Sequence, residues 1–412
     1  MTSAKRRFLY LTGLIIAGEA IFALPFHVTR FFRPTVLEVF GLTATELGAA
    51  QGLYGITAMV AYFLGGPLAD RFPAHTLLAS SLWATALGGV YMATFPTYSG
   101  ALALWGFFGF STILLFWAAM IKATRQWGGE HEQGKAYGFL DGGRGLLAAA
   151  LASVGVALLA FALPDGGSAA TIEEKRAVLR TIIYGYTAVT LLAGVLVWFI
   201  VRPTSGEAAF SHTPPLAGIS AALALPTVWL QAIIVLCAYV GYKGFDNYSL
   251  FAVQVYGLTD TEAAGLVTLG SWVRIVAAIG AGLIGDRIGA SKTLIVLFAL
   301  LLLADLYFAL TVPGAEWVLI GNVLLTCIAI FGFRGLYFAL FQEARVPLPI
   351  TGTAIGIVSV VGYTPDIFVT FVAGVLIDRS PGLAGHQHFF VFLAAFALVG
   401  LIASTLFHRK VR

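Results

Sequence analysis

Several ionisable side chains sit inside long apolar runs, where they need a use. Glu19, His27 and Arg30 share one run, and Lys243 and Asp246 share another with Tyr239 and Asn247. Arg334 lies in a third run, and Tyr363 and Asp366 flank Pro365 in a fourth. An ionised group in hydrocarbon costs several kcal/mol unless it is paired or faces water, so each is a candidate site. Lysine, arginine and histidine at such depth suit an anion, and a carboxylate there suits a proton. On a regular helix Glu19 and Arg30 lie within roughly 20° of each other, with His27 about one turn away. Glu19 falls about 16 Å into its span, a depth fit for a proton carrier. Lys243 and Asp246, three residues apart, meet on one helix face, and Gly241 and Gly244 let the backbone bend or a ligand approach. Pro365 frees a backbone carbonyl, and a pair between Arg334 and Asp366 is geometrically reasonable, with structural pairing and substrate contact both open for the two. Trp117, well inside its run, is a candidate to pack on a ligand. Lys122 and Asp141 have matching depths near one membrane edge and, with Arg144 and Glu343, are read as a gate or scaffold. Asp305 is placed near the outer edge of a peripheral span, with no role.

The elements that must hold these groups follow from composition. The chain has 412 residues, 59% hydrophobic and 11% charged, and a mean hydropathy of +0.90. Soluble domains carry about a quarter charged residues, so a soluble enzyme, a nucleic-acid binder and a disordered scaffold are excluded. The net charge of +4 is small and dispersed, which argues against a nucleic-acid partner. A membrane helix needs about 20 apolar residues, whereas a barrel strand would alternate over about ten. Twelve long, non-alternating runs are present, beginning with residues 8–39 and ending with 386–407. The basic Lys5-Arg6-Arg7 start leads into a first transmembrane helix rather than a cleaved signal peptide, because the run continues past Pro25 without a small-residue cleavage pattern. The polar stretch 203–224 divides the spans six and six. The predicted organisation is a bundle at 1–205, a central cytoplasmic linker at 206–221 and a second bundle at 222–412. Lys5, Arg6, Arg7, Arg71, Lys122, Arg287, Lys292 and Arg409 collect on one side, which places both termini in the cytoplasm of an inner (plasma) membrane. Cys237 and Cys327 read as small core residues. No phosphate-binding glycine loop, metal-ligand spacing or nucleophilic triad is present, so no cofactor, metal or catalytic residue is expected.

An internal repeat supplies the design. Gly41-Leu42-Thr43-Ala44-Thr45-Glu46 returns as Gly257-Leu258-Thr259-Asp260-Thr261-Glu262, an offset of 216 residues. At the same offset Gly66-x-x-x-Asp70-Arg71 returns as Gly282-x-x-x-Asp286-Arg287, and Gly134-x-x-x-Gly138 has a near match in Gly352-x-x-x-Gly356. Two like halves are a usual plan of secondary transporters. With these motifs the chain resembles the major facilitator superfamily over essentially its whole length. The resemblance is to its bacterial organic-anion and organophosphate branches. In the first Asp-Arg loop Pro73 replaces the family's second glycine, while the second copy keeps it as Gly289.

The resemblance implies an all-α membrane protein of twelve transmembrane helices in two pseudo-symmetric six-helix bundles, working by alternating access. Its first, fourth, seventh and tenth helices would line the cavity, with the Asp-Arg loops locking the cytoplasmic side. The substrate-binding candidates are then His27, Arg30, Trp117, Tyr239, Lys243, Asp246, Asn247, Arg334 and Tyr363, and the proton-coupling candidates are Glu19 and Asp366. The gate candidates are Gly66, Asp70, Arg71, Lys122, Asp141, Arg144, Gly282, Asp286 and Arg287. The fifth helix lacks the Gly-Pro motif of drug antiporters. Ala58 stands where a nitrate carrier's second arginine would pair with Arg274. The expected activity is proton-coupled transport or exchange of a small organic anion such as a sugar acid, sulfo- or phospho-sugar or carboxylate, by a monomer in the lipid bilayer. The alternatives are an exporter of amphiphilic drugs, which would need an acidic cavity, and a membrane-embedded enzyme or structural subunit without transport.

Overall fold

The structure, a computed structural model, describes residues 3–128, 133–167, 169–201, 219–337, 339–346 and 348–412. The described regular elements are all helical. They are α1 (Lys5–Phe31), α2 (Ala44–Arg71), α3 (Ala74–Met92), α4 (Tyr98–Thr124), α5 (Gln133–Ala162), α6 (Ile172–Ile200), α7 (Pro226–Tyr256), α8 (Asp260–Ile288), α9 (Ala290–Leu310), α10 (Glu316–Leu336), α11 (Ala354–Arg379) and α12 (Leu383–Val411). Among the described residues, eleven candidate spans are long and apolar enough to cross a membrane. The exception is α3, whose His75, Ser80, Ser81 and Trp83 dilute its hydropathy. Helices satisfy their own backbone groups, which hydrocarbon requires of any spanning chain. Most of the linker expected at 206–221 lies outside the described residues.

The repeated Gly-Leu-Thr-x-Thr-Glu segments are helix punctuation. Gly41 and Gly257 have φ of 64° and 70°, left-handed values that glycine adopts without strain. Leu42 N–H then closes the short helix Arg33–Phe40, which follows α1, onto the Leu37 carbonyl at 3.0 Å. Thr43 caps the next helix by accepting from Glu46 N–H at 3.1 Å, while the Glu46 carboxylate accepts from Thr43 N–H at 2.9 Å. Thr259 and Glu262 do the same at 3.2 and 2.9 Å, and Thr171 and Glu174 repeat the device ahead of α6.

The chain forms two units, residues 1–207 with Gly257–Thr268, and 208–256 with Leu269–Arg412. In the first, Leu14, Ala17, Ile21, Leu78, Phe116, Met120 and Val197 form a closed apolar core. Its helices approach through small residues: a methyl group on Gly109 would overlap the Thr57 hydroxyl and lie 2.5 Å from the Tyr54 carbonyl oxygen. In the second unit Gly400 likewise admits the Phe298 ring, and Phe251, Phe308 and Phe390 stack edge to edge with centroids 4.9 Å apart. Large apolar side chains such as Phe63, Leu87, Phe161, Val276 and Leu310 point outward and exposed, as on a lipid-facing surface.

Gly109→Ala should destabilise the first unit by about 1–3 kcal/mol through overpacking, seen as a lower thermal midpoint in detergent. Gly185→Ala, with nothing within 4 Å of the added methyl group, should be neutral or gain up to about 1 kcal/mol in helix propensity. Equal midpoints would refute the close approach of α2 and α4.

Candidate functional site

In the first unit the polar centre is built around a defect in α1. Pro25 has no N–H to donate, and residues Ala23–His27 adopt a π turn between two α-helical stretches. The Pro25 carbonyl instead receives the Trp105 indole at 3.2 Å and the Thr29 hydroxyl at 3.3 Å. A π turn carries about one extra residue, which rotates the remainder of the helix by about 100°. Glu19 and His27, about 80° apart on a regular helix, are thereby brought face to face. Glu19 Oε1 lies 3.0 Å from His27 Nε2, and Glu19 Oε2 accepts from Arg144 Nε at 3.1 Å. All three are buried. Gly18 leaves room for Arg144 to cross α1, since a Cβ there would stand 3.1 Å from Arg144 Cδ. The Arg144 guanidinium also lies 5.6 Å from the Phe22 ring centroid and 3.9 Å from Asp141.

One turn further on, Arg30 and Arg33 are buried too. Arg33 Nη1 donates to Gln51 Oε1 at 3.3 Å, and Gln51 Nε2 donates to the Thr29 hydroxyl at 3.0 Å. Arg33 is therefore an interior residue: Phe31 and Phe32 before it are buried as well, so the apolar run carries the arginine inward. A second ion cluster in this unit joins helix ends. Lys175 Nζ contacts Glu38 at 2.6 Å and Asp260 at 3.1 Å, and the Thr35 hydroxyl donates to Asp260 at 3.1 Å.

In the second unit α7 tightens where α1 loosens. Its α-helix Pro226–Gly244 passes through a 3-10 turn, Phe245–Asn247, before resuming at Tyr248. Lys243 sits at this break, 2.9 Å from Asp246 and 3.4 Å from Asp366. Tyr239 donates to the Asp366 carboxylate at 3.1 Å. Around them Tyr239 packs on Tyr242 and Tyr363 at 5.4 and 4.9 Å, and the Tyr363 and Tyr337 hydroxyls are 3.4 Å apart. Asn247 is buried with both amide atoms unpartnered among the described residues.

Two expected pairings are corrected. Asp366 is held by Lys243 and Tyr239, not Arg334, whose guanidinium stacks 4.9 Å over the Tyr242 ring. Lys122 does not reach Asp141 among the described residues, because its ammonium folds back onto the Ala69 carbonyl at 2.8 Å. Arg144, grouped with the gate, instead belongs to the buried Glu19 cluster. Glu343 anchors the start of α9, accepting from Ser291 N–H at 2.9 Å. Arg71, Asp286 and Arg287 are exposed, while the side chains of Gly66 and Asp70 lie outside the described residues. Trp117 lies between the Phe22 and Tyr62 rings at 6.4 and 6.3 Å.

Comparison with known proteins places this architecture. The sequence profile of the Major Facilitator Superfamily matches residues 15–364. The chain is 27% identical to the inner membrane protein YqcE of Escherichia coli K12, over all of this chain and 96% of that one. Its fold is similar to a point mutant of the nucleoside transporter NupG, with a TM-score of 0.76 at 14% identity over 97% and 99% of the two chains. It is also similar to a bacterial homologue of the human lysosomal transporter Spinster in its inward-facing, unoccupied conformation, with a TM-score of 0.74 at 16% identity over 99% of both. The chain is a multi-pass inner-membrane transporter, not an enzyme, and it belongs to the Major Facilitator Superfamily.

Proposed function

We propose that the protein is a secondary active transporter of a small organic anion. The observation that carries this reading is the burial of three arginines in the first unit, Arg30, Arg33 and Arg144, the last engaged by Glu19. Arginines held at such depth are suited to meet an anion that enters beside them. In the second unit Lys243 offers a further cation, shared with Asp246 and Asp366, which an arriving anion would compete for. Arginine can grip an oxyanion with two parallel bonds and lysine with one, so carboxylate, sulfonate and phosphate all suit the set. The basic loops favour cytoplasmic termini, and we take the monomer as the working unit.

A second reading has its own support. Asn247, buried with donor and acceptor unused among the described residues, also fits an uncharged polar ring compound, such as the nucleosides named for NupG. A thermal-shift screen of metabolites on purified protein separates the two, because a ligand of the folded state raises its midpoint.

Arg30→Ala and Lys243→Ala should each cost at least about 2 kcal/mol in binding the best anionic hit, from loss of a charge-assisted contact. That is about 30-fold in Kd by titration calorimetry. Full affinity in both folded variants, or an uncharged or cationic best hit, would sink the anion reading.

Coupling to protons rests on Glu19 and Asp366. Lys243 faces two carboxylates, and a proton on one of them balances the set. Glu19→Gln should abolish concentrative uptake into proteoliposomes while preserving exchange. Uptake that stays concentrative in both Glu19→Gln and Asp366→Asn removes these residues from the mechanism.

The Asp70-Arg71 and Asp286-Arg287 loops are assigned to gating rather than binding. Asp286→Asn should alter the accessibility of cytoplasmic-side cysteine probes yet leave affinity in detergent within about tenfold, or 1.4 kcal/mol. A folded variant without affinity would contradict the gate assignment.

A further inference from the structure

We propose that Asp305, in α9, is a proton-binding site of the second unit, carrying its side chain as the neutral acid in a pocket with Tyr248, Asn322 and Thr326. Asp305 is fully buried, and neither carboxylate oxygen has a hydrogen-bond partner among the described residues. No ion pair among those residues includes it. The surroundings are polar but uncharged. Asn322 Nδ2 donates to the carbonyl of Ala304, the neighbour of Asp305, at 3.1 Å. One turn along α10 from Asn322, the Thr326 hydroxyl lies 3.5 Å from that of Tyr248, and the Tyr248 phenol feels the Asp305 carboxylate electrostatically. Asn322 Oδ1 is a second buried acceptor without a donor.

A buried carboxyl group with neither oxygen met by a donor lacks a hydrogen. An ionised carboxylate here would stand uncompensated in a low-dielectric interior, which strongly disfavours it. One proton on Asp305 removes the charge and gives the pocket a donor. Loading forms one O–H bond on a carboxylate oxygen as a hydronium ion gives up one of its own and is left as water; unloading reverses this transfer.

The neighbouring elements present few titratable groups. α7 brings Tyr248, and α10 brings Cys327, which also acts on Tyr248. α12 brings His386, across the Phe251 and Phe308 rings, with its Nε2 bonded to Gln254 at 2.8 Å. Lys243 and Asp246, a turn before Tyr248, are engaged with each other, and Arg334 lies two turns along α10 on Tyr242. No cation is therefore supplied to Asp305 from these elements, which is why the proton is assigned to the carboxyl itself. This assignment does not depend on the substrate reading, since its test needs no substrate.

The test is infrared difference spectroscopy on purified full-length protein. A carboxylic-acid carbonyl band should be present, shift in heavy water on a timescale faster than exchange of the α9 backbone amides, and vanish in Asp305→Asn. Tyr248→Phe, which keeps the acid but changes its surroundings, should move the same band, and it serves if the asparagine variant does not fold. A carboxylate band lost in place of the acid band, a band that never exchanges, or one unmoved by Tyr248→Phe would each overturn the proposal. A rise in thermal midpoint with sodium chloride but not potassium chloride, absent in Asp305→Asn, would overturn it in favour of a bound metal cation.

Discussion

A charge carried into hydrocarbon must be met there by another group, and this requirement organises both units. Lys243 is met by two carboxylates within reach. Glu19 is met by Arg144, which crosses a glycine on α1 to reach it. Arg144 can cross α1 because Gly18 carries no side chain, and Glu19 meets His27 because the π turn rotates the helix between them. The small residue and the π turn are therefore conditions for gathering the Glu19 cluster. Breaking such a pair by removing one partner typically costs about 3–5 kcal/mol, whereas swapping the whole set for apolar residues can be neutral. Clusters of this kind are weak contributors to stability, and their presence points to use.

The repeat that reveals two like halves in the sequence is largely written in punctuation. A left-handed glycine stops one helix, and a threonine–glutamate box starts the next; both need fixed residue types at fixed spacing, so both stay legible. The polar centres obey no such rule. At the repeat offset Lys243 answers His27 and Asp246 answers Arg30, yet one helix is loosened near these positions and the other tightened. The halves share a frame and differ in the chemistry mounted on it.

Legibility in the sequence follows the same division. Span number, helix type and the Lys243–Asp246 contact depend on hydropathy and on spacing within one helix, which sequence displays directly. What escaped depends on partners far apart in the chain. The spacing of α1 gives no sign that Arg144, 125 residues away, would take Glu19. Asp366 faced two candidate cations, and only the packing of α7 against α11 selected Lys243 over Arg334. The burial of Arg33 has no sign in its own spacing and goes with that of the adjacent Phe31 and Phe32. Asp305 carried no motif at all, and its surroundings become visible only when α7, α9 and α10 are set side by side.

The π turn of α1 also bears on how kindred sequences should be aligned. Loss of one residue between Ala23 and Phe26 would turn the bulge into an ordinary α turn and leave the flanking stretches in their present orientation. The carboxylate and imidazole would then be seven residues apart, about 20° off a common face on a regular helix, instead of the eight that separate Glu19 and His27 here. A one-residue gap at this point is thus geometrically silent, whereas the same gap elsewhere between the two residues, outside the bulge, would swing them apart. Chains spaced by seven and by eight can carry the same pair, and an alignment that forbids the gap will hide it.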